Sequence, residues 1–323
     1  MVFVELAILL ISVIVLARSS GLVVDSALRL SSFFGISQIA IGFILIAVAT
    51  SLPELSVSVV SSTMGEGAIA AGNVFGSNIA NILLVLGLGA FLYGIKISPS
   101  NLRDIGLVLL LTTVISVYIV FSSSLQLKAL GFFEGFVLLL IFAAYAWYTL
   151  NKKRVENSDP NGGVTKEAAL SAFLFFCVGI VLVIVSSAFV VDSAVKLAKL
   201  LGIAESFIGA TIIAVGTSLP ELSIDLQAIR KKQYGLALGD AIGSNMTNIT
   251  LVLGVASAIS PIQVLLPVFI GALLFAVIAN SVFFYVAAVN KKIGQLGGAL
   301  FLILYVVYLA VIFVLQLKEL GVS

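Results

Sequence analysis

Long apolar runs separated by short polar breaks cover nearly the whole of this 323-residue chain. A membrane-spanning helix needs about 20 mostly apolar residues, and about ten runs meet that length. They occupy residues 2–18, 37–63, 68–94, 104–122, 129–150, 168–190, 204–229, 235–258, 264–289 and 295–316. Charged residues gather in the breaks, as in Arg230–Gln233 and Asn290–Lys292. The pattern predicts an all-α polytopic membrane protein.

Composition excludes several classes of protein. Hydrophobic residues make up 61% of the chain and charged residues 10%, with a mean hydropathy of +1.25, whereas soluble domains have about 25% charged residues. The net charge of +2 provides no field for nucleic acid. The single cysteine, Cys177, excludes an intrachain disulfide, and the absence of histidine removes the commonest transition-metal ligand. We also expect no resident cofactor, no enzymatic activity and no obligate protein partner, and the lipid bilayer as the surroundings of the chain.

The distribution of basic residues predicts the orientation. With alternate loops on opposite sides, one side receives Arg29, Lys96, Arg103, Lys152, Lys153, Arg154, Lys166, Arg230, Lys231, Lys232, Lys291 and Lys292. The other side receives Lys128, Lys196, Lys199 and Lys318. Because excess Lys and Arg marks the cytoplasmic face, we expect a plasma-membrane protein with a cytoplasmic central linker and both termini outside. No cleavable signal peptide is visible.

The two halves of the chain resemble each other at an offset of 167 residues. Ile46–Ser56 matches Ile213–Ser223, and Gly72–Ile82 matches Gly239–Ile249. We predict a first five-helix repeat over 1–150, a linker over 151–167 and a second repeat over 168–323. Because five is odd, the second repeat must insert upside down, and inverted repeats are typical of secondary transporters with a site near the membrane midplane.

A Thr-Ser-Leu-Pro-Glu motif interrupts one apolar run in each half, at Thr50–Glu54 and Thr217–Glu221. Proline inside a helix removes a backbone donor and frees a carbonyl about one turn earlier. The freed carbonyls are those of Ala47 or Val48 in the first half and Ala214 or Val215 in the second. Such groups persist at membrane depth only where a cation or a lined cavity satisfies them. The alternative is that each proline only kinks its helix, but a kink would not require a glutamate in the hydrocarbon core of the membrane. We therefore expect Glu54 and Glu221 to carry the negative charge of a cation site.

A second motif places polar side chains at helical spacing. Asn73, Ser77 and Asn81 form one stripe, and Asp240, Ser244 and Asn248 form its counterpart. Small-residue helix packing is the alternative for these serines and asparagines, with Gly72, Gly76, Gly239 and Gly243 allowing close approach. Carboxylate, carbonyl, hydroxyl and amide oxygens suit Ca²⁺ or Na⁺ and not copper or zinc.

These paired motifs resemble those of the calcium/cation antiporter superfamily, including its prokaryotic Na⁺/Ca²⁺ and H⁺/Ca²⁺ exchangers, over nearly the whole chain. The resemblance implies alternating access, with the first and sixth helices sliding across a fixed core, and exchange of Ca²⁺ for another cation. The resemblance also implies which residues bind the cation. Among them, Glu54 and Glu221 would bind the metal ion through their carboxylates. The full set is Ala47, Thr50, Ser51, Glu54, Ser77, Asn81, Ala214, Thr217, Ser218, Glu221, Ser244 and Asn248.

Departures from the family pattern bear on the counter-ion. Similar prokaryotic Na⁺/Ca²⁺ exchangers often carry an aspartate where Asn248 stands, so Glu54 and Glu221 are the only carboxylates in the expected ligand set. This slightly favours H⁺ over Na⁺. Asp225 and Asp240, and Asn73 at the position matching Asp240, are candidates for a proton relay or a cation vestibule. The alternative for both aspartates is a solvated position near Arg230–Lys232.

Two other classes of function use some of the same features. A cation channel could use the same oxygen ligands, and only the need for a counter-ion distinguishes it from an antiporter. An intramembrane aspartyl protease is suggested faintly by Leu238-Gly-Asp240, but Ala237 replaces the expected glycine and the chain has no Tyr-Asp partner.

Overall fold

The computed structural model describes residues 2–65, 67–124, 130–151, 164–201, 216–262 and 266–319. Its helices are α1 (Val2–Phe34), α2 (Gln38–Thr50), α3 (Leu52–Thr63), α4 (Gly67–Ala80), α5 (Leu86–Tyr93), α6 (Pro99–Ser124), α7 (Phe132–Asn151), α8 (Lys166–Leu200), α9 (Leu219–Arg230), α10 (Tyr234–Thr247), α11 (Leu253–Ile259), α12 (Leu266–Asn290) and α13 (Gln295–Glu319). Two short strands, β1 (Ile95–Lys96) and β2 (Lys292–Ile293), pair antiparallel.

The all-helical membrane fold predicted from the apolar runs is confirmed. Within the described ranges, eight helices are long and apolar enough to cross a membrane, or nine if the bent pair α2–α3 counts as one span. The run predicted over 204–229 lies partly outside the described residues, because only its end, including α9, is described. The count of ten spans stays a prediction, and so does the division at 151–167, most of which also lies outside the described residues.

The first and sixth predicted spans are longer than the sequence pattern indicated. α1 has 33 residues and α8 has 35, whereas the apolar runs ended at 18 and 190. The serines after the first run do not stop α1, because Ser19 and Ser20 donate to the carbonyls of Val15 and Leu16 at 2.8 and 2.7 Å. α1 ends at Phe34, and the next residue, Gly35, has a φ of +64°, which glycine adopts readily at the end of a helix. At 1.5 Å per residue such helices are about 50 Å long, so they must tilt in a bilayer.

A helix break falls at the first proline motif, as predicted: α2 and α3 meet at Ser51 with a bend of 44°. At the second motif α9 begins after Ser218, and residues 202–215, which precede the motif, lie outside the described residues. Pro53 and Pro220 lie at the start of the new helices, where a missing N–H leaves no helical hydrogen bond unmade. Each proline therefore starts a helix rather than kinking one.

Short π-helical segments lie beside the predicted ligands. Gly42–Ala47 is π-helical within α2, Asn81–Val85 joins α4 to α5, and Asn248–Val252 joins α10 to α11. The last two are related by the 167-residue offset. π-bulges widen the helical turn and occur frequently at functional sites. Here each begins or ends at a residue predicted to bind a cation.

The chain forms two compact units that do not coincide with the predicted halves. The first contains Met1–Thr50 and Lys153–Asp240, and the second contains Ser51–Lys152 and Ala241–Ser323. Within the first unit, α1 packs along α8 and against α9. Within the second, α3 packs on α4, α5 on α13, α7 on α11 and α6 on α12.

Candidate functional site

The Glu54 carboxylate lies in the first turn of α3, where the positive end of the helix dipole favours a negative charge. Glu54 is 1% exposed. The Ser77 hydroxyl donates to its Oε1 at 3.3 Å, while Oε2 has no hydrogen-bond partner among the described residues. One carboxylate oxygen is thus held by the protein and the other is available to a cation.

Asn73 fixes α4 against α3 beneath this carboxylate. Its Nδ2 donates to the Glu54 carbonyl at 3.1 Å and to the Ser58 hydroxyl at 3.0 Å. Ser77 follows one turn later on α4, which places its hydroxyl beside the Glu54 carboxylate. Asn73, a candidate for the proton relay, therefore joins α4 to α3 through hydrogen bonds.

Four buried asparagines form a cross-bonded cluster in the second unit. Asn81 donates to Asn245 Oδ1 at 3.1 Å, and Asn248 donates to Asn78 Oδ1 at 3.1 Å. Asn78 and Asn245 also donate to each other's main-chain carbonyls at 3.1 and 3.0 Å. The sequence analysis selected Asn81 and Asn248 but missed Asn78 and Asn245. Their signal was present, because both follow the serine in the Gly-Ser-Asn triplet of each half.

In the first unit, Thr50 contacts Asp240. The Thr50 hydroxyl lies 3.4 Å from both the Ala47 carbonyl and Asp240 Oδ1. α2 and α10 approach closely, since a Cβ on Gly42 would lie 2.5 Å from the Leu236 carbonyl oxygen. A Cβ on Gly239 would likewise meet the backbone of Ile39, so the predicted role of Gly239 in close packing is confirmed. For Gly72 that prediction is not tested: no atom of the described residues lies within 4 Å of its Cβ position, but Ser206, the residue that matches Ile39, lies outside the described residues.

Glu221, Asp225 and Asp240 bring three acidic side chains into the first unit. The charges of Asp240 and Glu221 both act on the Asp225 carboxyl group. Asp225 and Asp240 are 0% exposed. The solvated alternative considered for these aspartates is therefore wrong: the basic residues Arg230–Lys232 follow them in sequence, but both carboxyl groups are buried.

The other predicted ligands divide between the two units. In the first unit, the buried ligands are Ala47 and Ser218, and Thr217 is half-buried. In the second unit, Ser51 and Ser244 are buried. The Ser51 and Ser218 hydroxyls make no hydrogen bond within the part of the chain that the structure describes. Ala214 lies outside the described residues.

The donor chemistry suits a hard cation. No group of three or more His, Cys, Asp or Glu positioned to hold a metal occurs in the described ranges. The candidate donors are instead carboxylate oxygens supplemented by hydroxyl, amide and carbonyl oxygens, a mixture that Ca²⁺ and Na⁺ accept.

Comparisons with known proteins identify relatives over nearly the full chain. The sequence model of a family described as sodium/calcium exchanger protein matches residues 4–151 and 171–314. Sodium/calcium exchanger MaX1 of Methanosarcina acetivorans is 30% identical, with 97% of this chain and 99% of that protein covered. A membrane protein of Methanocaldococcus jannaschii is 34% identical, with 93% and 95% covered.

A solved structure shares the fold. The sodium-calcium exchanger NCX_Mj, soaked with Na⁺ and no Ca²⁺, superposes with a TM-score of 0.83 at 31% identity, covering 96% of this chain and 99% of that one. The relatives named as exchangers are transporters.

Proposed function

Since the chain belongs to the sodium/calcium exchanger family of membrane transporters, we propose that it exchanges Ca²⁺ for a monovalent cation by alternating access. The expectation that it is not an enzyme is confirmed by this family membership. The observation that carries the proposal is the buried Glu54 carboxylate with Oε2 unengaged by the described residues, at a helix break. A permanently buried carboxylate at membrane depth is costly, and a bound cation offsets that cost.

The proposed ligands come from both sequence repeats. Glu54 and Glu221 supply the charge, and together they neutralise one Ca²⁺. The neutral oxygens are those of Ala47, Thr50, Ser51, Ser77, Asn81, Ala214, Thr217, Ser218, Ser244 and Asn248. Support for grouping them is the duplication of both motifs at one offset and the burial of most of them.

Two counter-ions each have an observation in their favour. Na⁺ is favoured by the relatives named as sodium/calcium exchangers. H⁺ is favoured by Asn248, which leaves two carboxylates in the ligand set, and by the buried carboxyl pair Asp225 and Asp240. We also propose a plasma-membrane location with both termini outside, on the basis of the Lys and Arg distribution.

Uptake of ⁴⁵Ca²⁺ into proteoliposomes tests the proposal. Vesicles are loaded with Na⁺, or with acid in the absence of Na⁺, and the membrane potential is clamped. Uptake driven by the outward Na⁺ gradient identifies Na⁺ as the counter-ion, and uptake driven by the proton gradient identifies H⁺. Uptake that needs neither gradient would indicate a channel and contradict antiport.

The assigned carboxylates are tested in the same assay. We expect Glu54→Gln and Glu221→Gln each to abolish exchange, because one charge cannot hold Ca²⁺ in a buried site. Glu167→Gln is the matched control, since Glu167 also lies in the first turn of a helix but is exposed. Full activity in either of the first two variants would contradict the ligand assignment.

A further inference from the structure

Asn78 and Asn245 lie outside the proposed ligand set, and each accepts a hydrogen bond from the side-chain NH₂ group of one proposed ligand. Asn248 is bound through Nδ2 to Asn78 Oδ1, and Asn81 is bound through Nδ2 to Asn245 Oδ1, both at 3.1 Å. The Oδ1 atoms of Asn81 and Asn248 have no hydrogen-bond partner among the described residues. All four side chains are at least nine-tenths buried.

We propose that Asn78 and Asn245 are positioning residues that orient the amides of Asn248 and Asn81 so that their carbonyl oxygens face the transported cation. This inference rests on the proposed function. A side-chain amide has an oxygen end that binds a cation and an NH₂ end that repels it. Because the two ends have nearly the same shape, packing alone does not choose between them. A hydrogen-bond acceptor placed at the NH₂ end does.

The hydrogen bonds between Asn78 and Asn245 hold these acceptors in place. Each side-chain Nδ2 donates to the main-chain carbonyl of the other residue, at 3.1 and 3.0 Å. With Nδ2 engaged in this way, each side chain presents its Oδ1 to the neighbouring ligand amide. The orientation of one amide therefore determines the orientation of the next, and buried networks of this kind specify a single arrangement when fully bonded.

The pairing is crosswise between the two sequence repeats. Asn78 of the first repeat orients Asn248 of the second, and Asn245 of the second orients Asn81 of the first. Asn78 and Asn245 occupy matching positions, as do Asn81 and Asn248. If Asn78 only stabilised the fold, the effect of replacing it would not depend on whether Asn248 or Asn81 is present. The crosswise pattern is the property that an experiment can detect.

Double-mutant cycles on Ca²⁺ transport test the proposal. We expect Asn78→Leu and Asn245→Leu each to raise the apparent KM for Ca²⁺ about tenfold, the size expected for losing one buried hydrogen bond that fixes a ligand. In an Asn248→Ala background no amide remains for Asn78 to orient, so Asn78→Leu should raise the apparent KM less than about twofold. In an Asn81→Ala background Asn78→Leu should still raise the apparent KM about tenfold. For Asn245→Leu the increase in KM should disappear in the Asn81→Ala background and persist in the Asn248→Ala background.

Equilibrium binding extends the test to variants that no longer transport. Calorimetric Ca²⁺ titration of the purified full-length chain in detergent should show the same crosswise pattern in Kd. Equal factors in both backgrounds would overturn the positioning role while wild-type exchange leaves the proposed function intact. Absence of Ca²⁺ uptake and Ca²⁺ binding in the wild-type chain would instead overturn the proposed function.

Discussion

At the scale of single residues, the matching positions of the two repeats carry different charges. In the first repeat Asn73 donates to Ser58 at 3.0 Å, a neutral pair that needs no further partner. The matching residues in the second repeat are Asp240 and Asp225, two buried acidic side chains whose charges act on each other. Neighbouring ionised carboxylates repel, so this buried pair is favoured when it holds a proton or a cation.

Asp240→Asn tests whether the aspartate pair takes part in the transport cycle. The amide has nearly the same shape as the carboxyl group, but it does not titrate. We therefore expect the variant to reduce the pH dependence of ⁴⁵Ca²⁺ uptake measured between about pH 6 and 8.5, a range that spans physiological pH. Asp25→Asn is the control, because Asp25 is exposed and paired with Lys231. An unchanged pH profile would exclude Asp240 from the mechanism.

At the scale of elements, α10 and α2 pack closely at two glycines. A Cβ on Gly239 of α10 would overlap the backbone of Ile39 in α2, and a Cβ on Gly42 of α2 would overlap the backbone of α10 at Leu236 and Gly239. These contacts are not visible in the sequence, because the two helices are distant in the chain.

We expect Gly239→Ala to destabilise the protein by about 1–3 kcal/mol, because the added methyl group would overlap backbone that has no rotamer to change. Thermal unfolding of the variant and of the wild-type chain in detergent measures the difference. A stability equal to that of the wild-type chain would contradict the close approach of α2 and α10.

A row of polar residues joins α9 to α1. Ser223 and Gln227 lie four residues apart on one face of α9, and Lys231 follows four residues later at its C-cap. Ser223 bonds Ser20 at 2.5 Å, Gln227 donates to the Ala17 carbonyl at 3.2 Å, and Lys231 donates to Asp25 at 2.6 Å. The matching positions in the first repeat are Ser56, Val60 and Met64. Ser56 donates to its own helix at Leu52, so this row belongs to one repeat only.

Lys231→Met, which installs the residue of the matching position, should loosen α1 locally. Exposed ion pairs contribute about 0–1 kcal/mol, so we expect little change in global stability. Hydrogen–deuterium exchange across residues 17–25 of α1 should nevertheless rise, because Lys231 also donates to the Gly21 carbonyl at 3.3 Å. The exposed neighbour Arg230, changed to Met, provides the control. Identical exchange in the two variants would show that the row does not hold α1.

At the scale of the whole molecule, local patterns predicted the fold better than the details of packing. Long apolar runs predicted the spanning helices, and the Pro-Glu motif predicted the break between α2 and α3, since each depends on residues close in sequence. The extension of α1 to Phe34 was missed because serines that bond their own backbone look like a polar loop. The burial of Asp225 and the partners of Asn78 were missed because both depend on residues distant in sequence.

The orientation of the whole chain follows from charges in the loops and is the broadest remaining prediction. Positive residues resist translocation, so the basic linker should be cytoplasmic and the C-terminus outside. Cys177 is the only cysteine, and a Cys177→Ser background allows single cysteines to be introduced. A membrane-impermeant maleimide should label Ser323→Cys in intact cells and Ser158→Cys only after permeabilisation. The reverse labelling would invert the orientation, and labelling of both in intact cells would place the C-terminus and the linker on the same side, which requires an even number of spans between them.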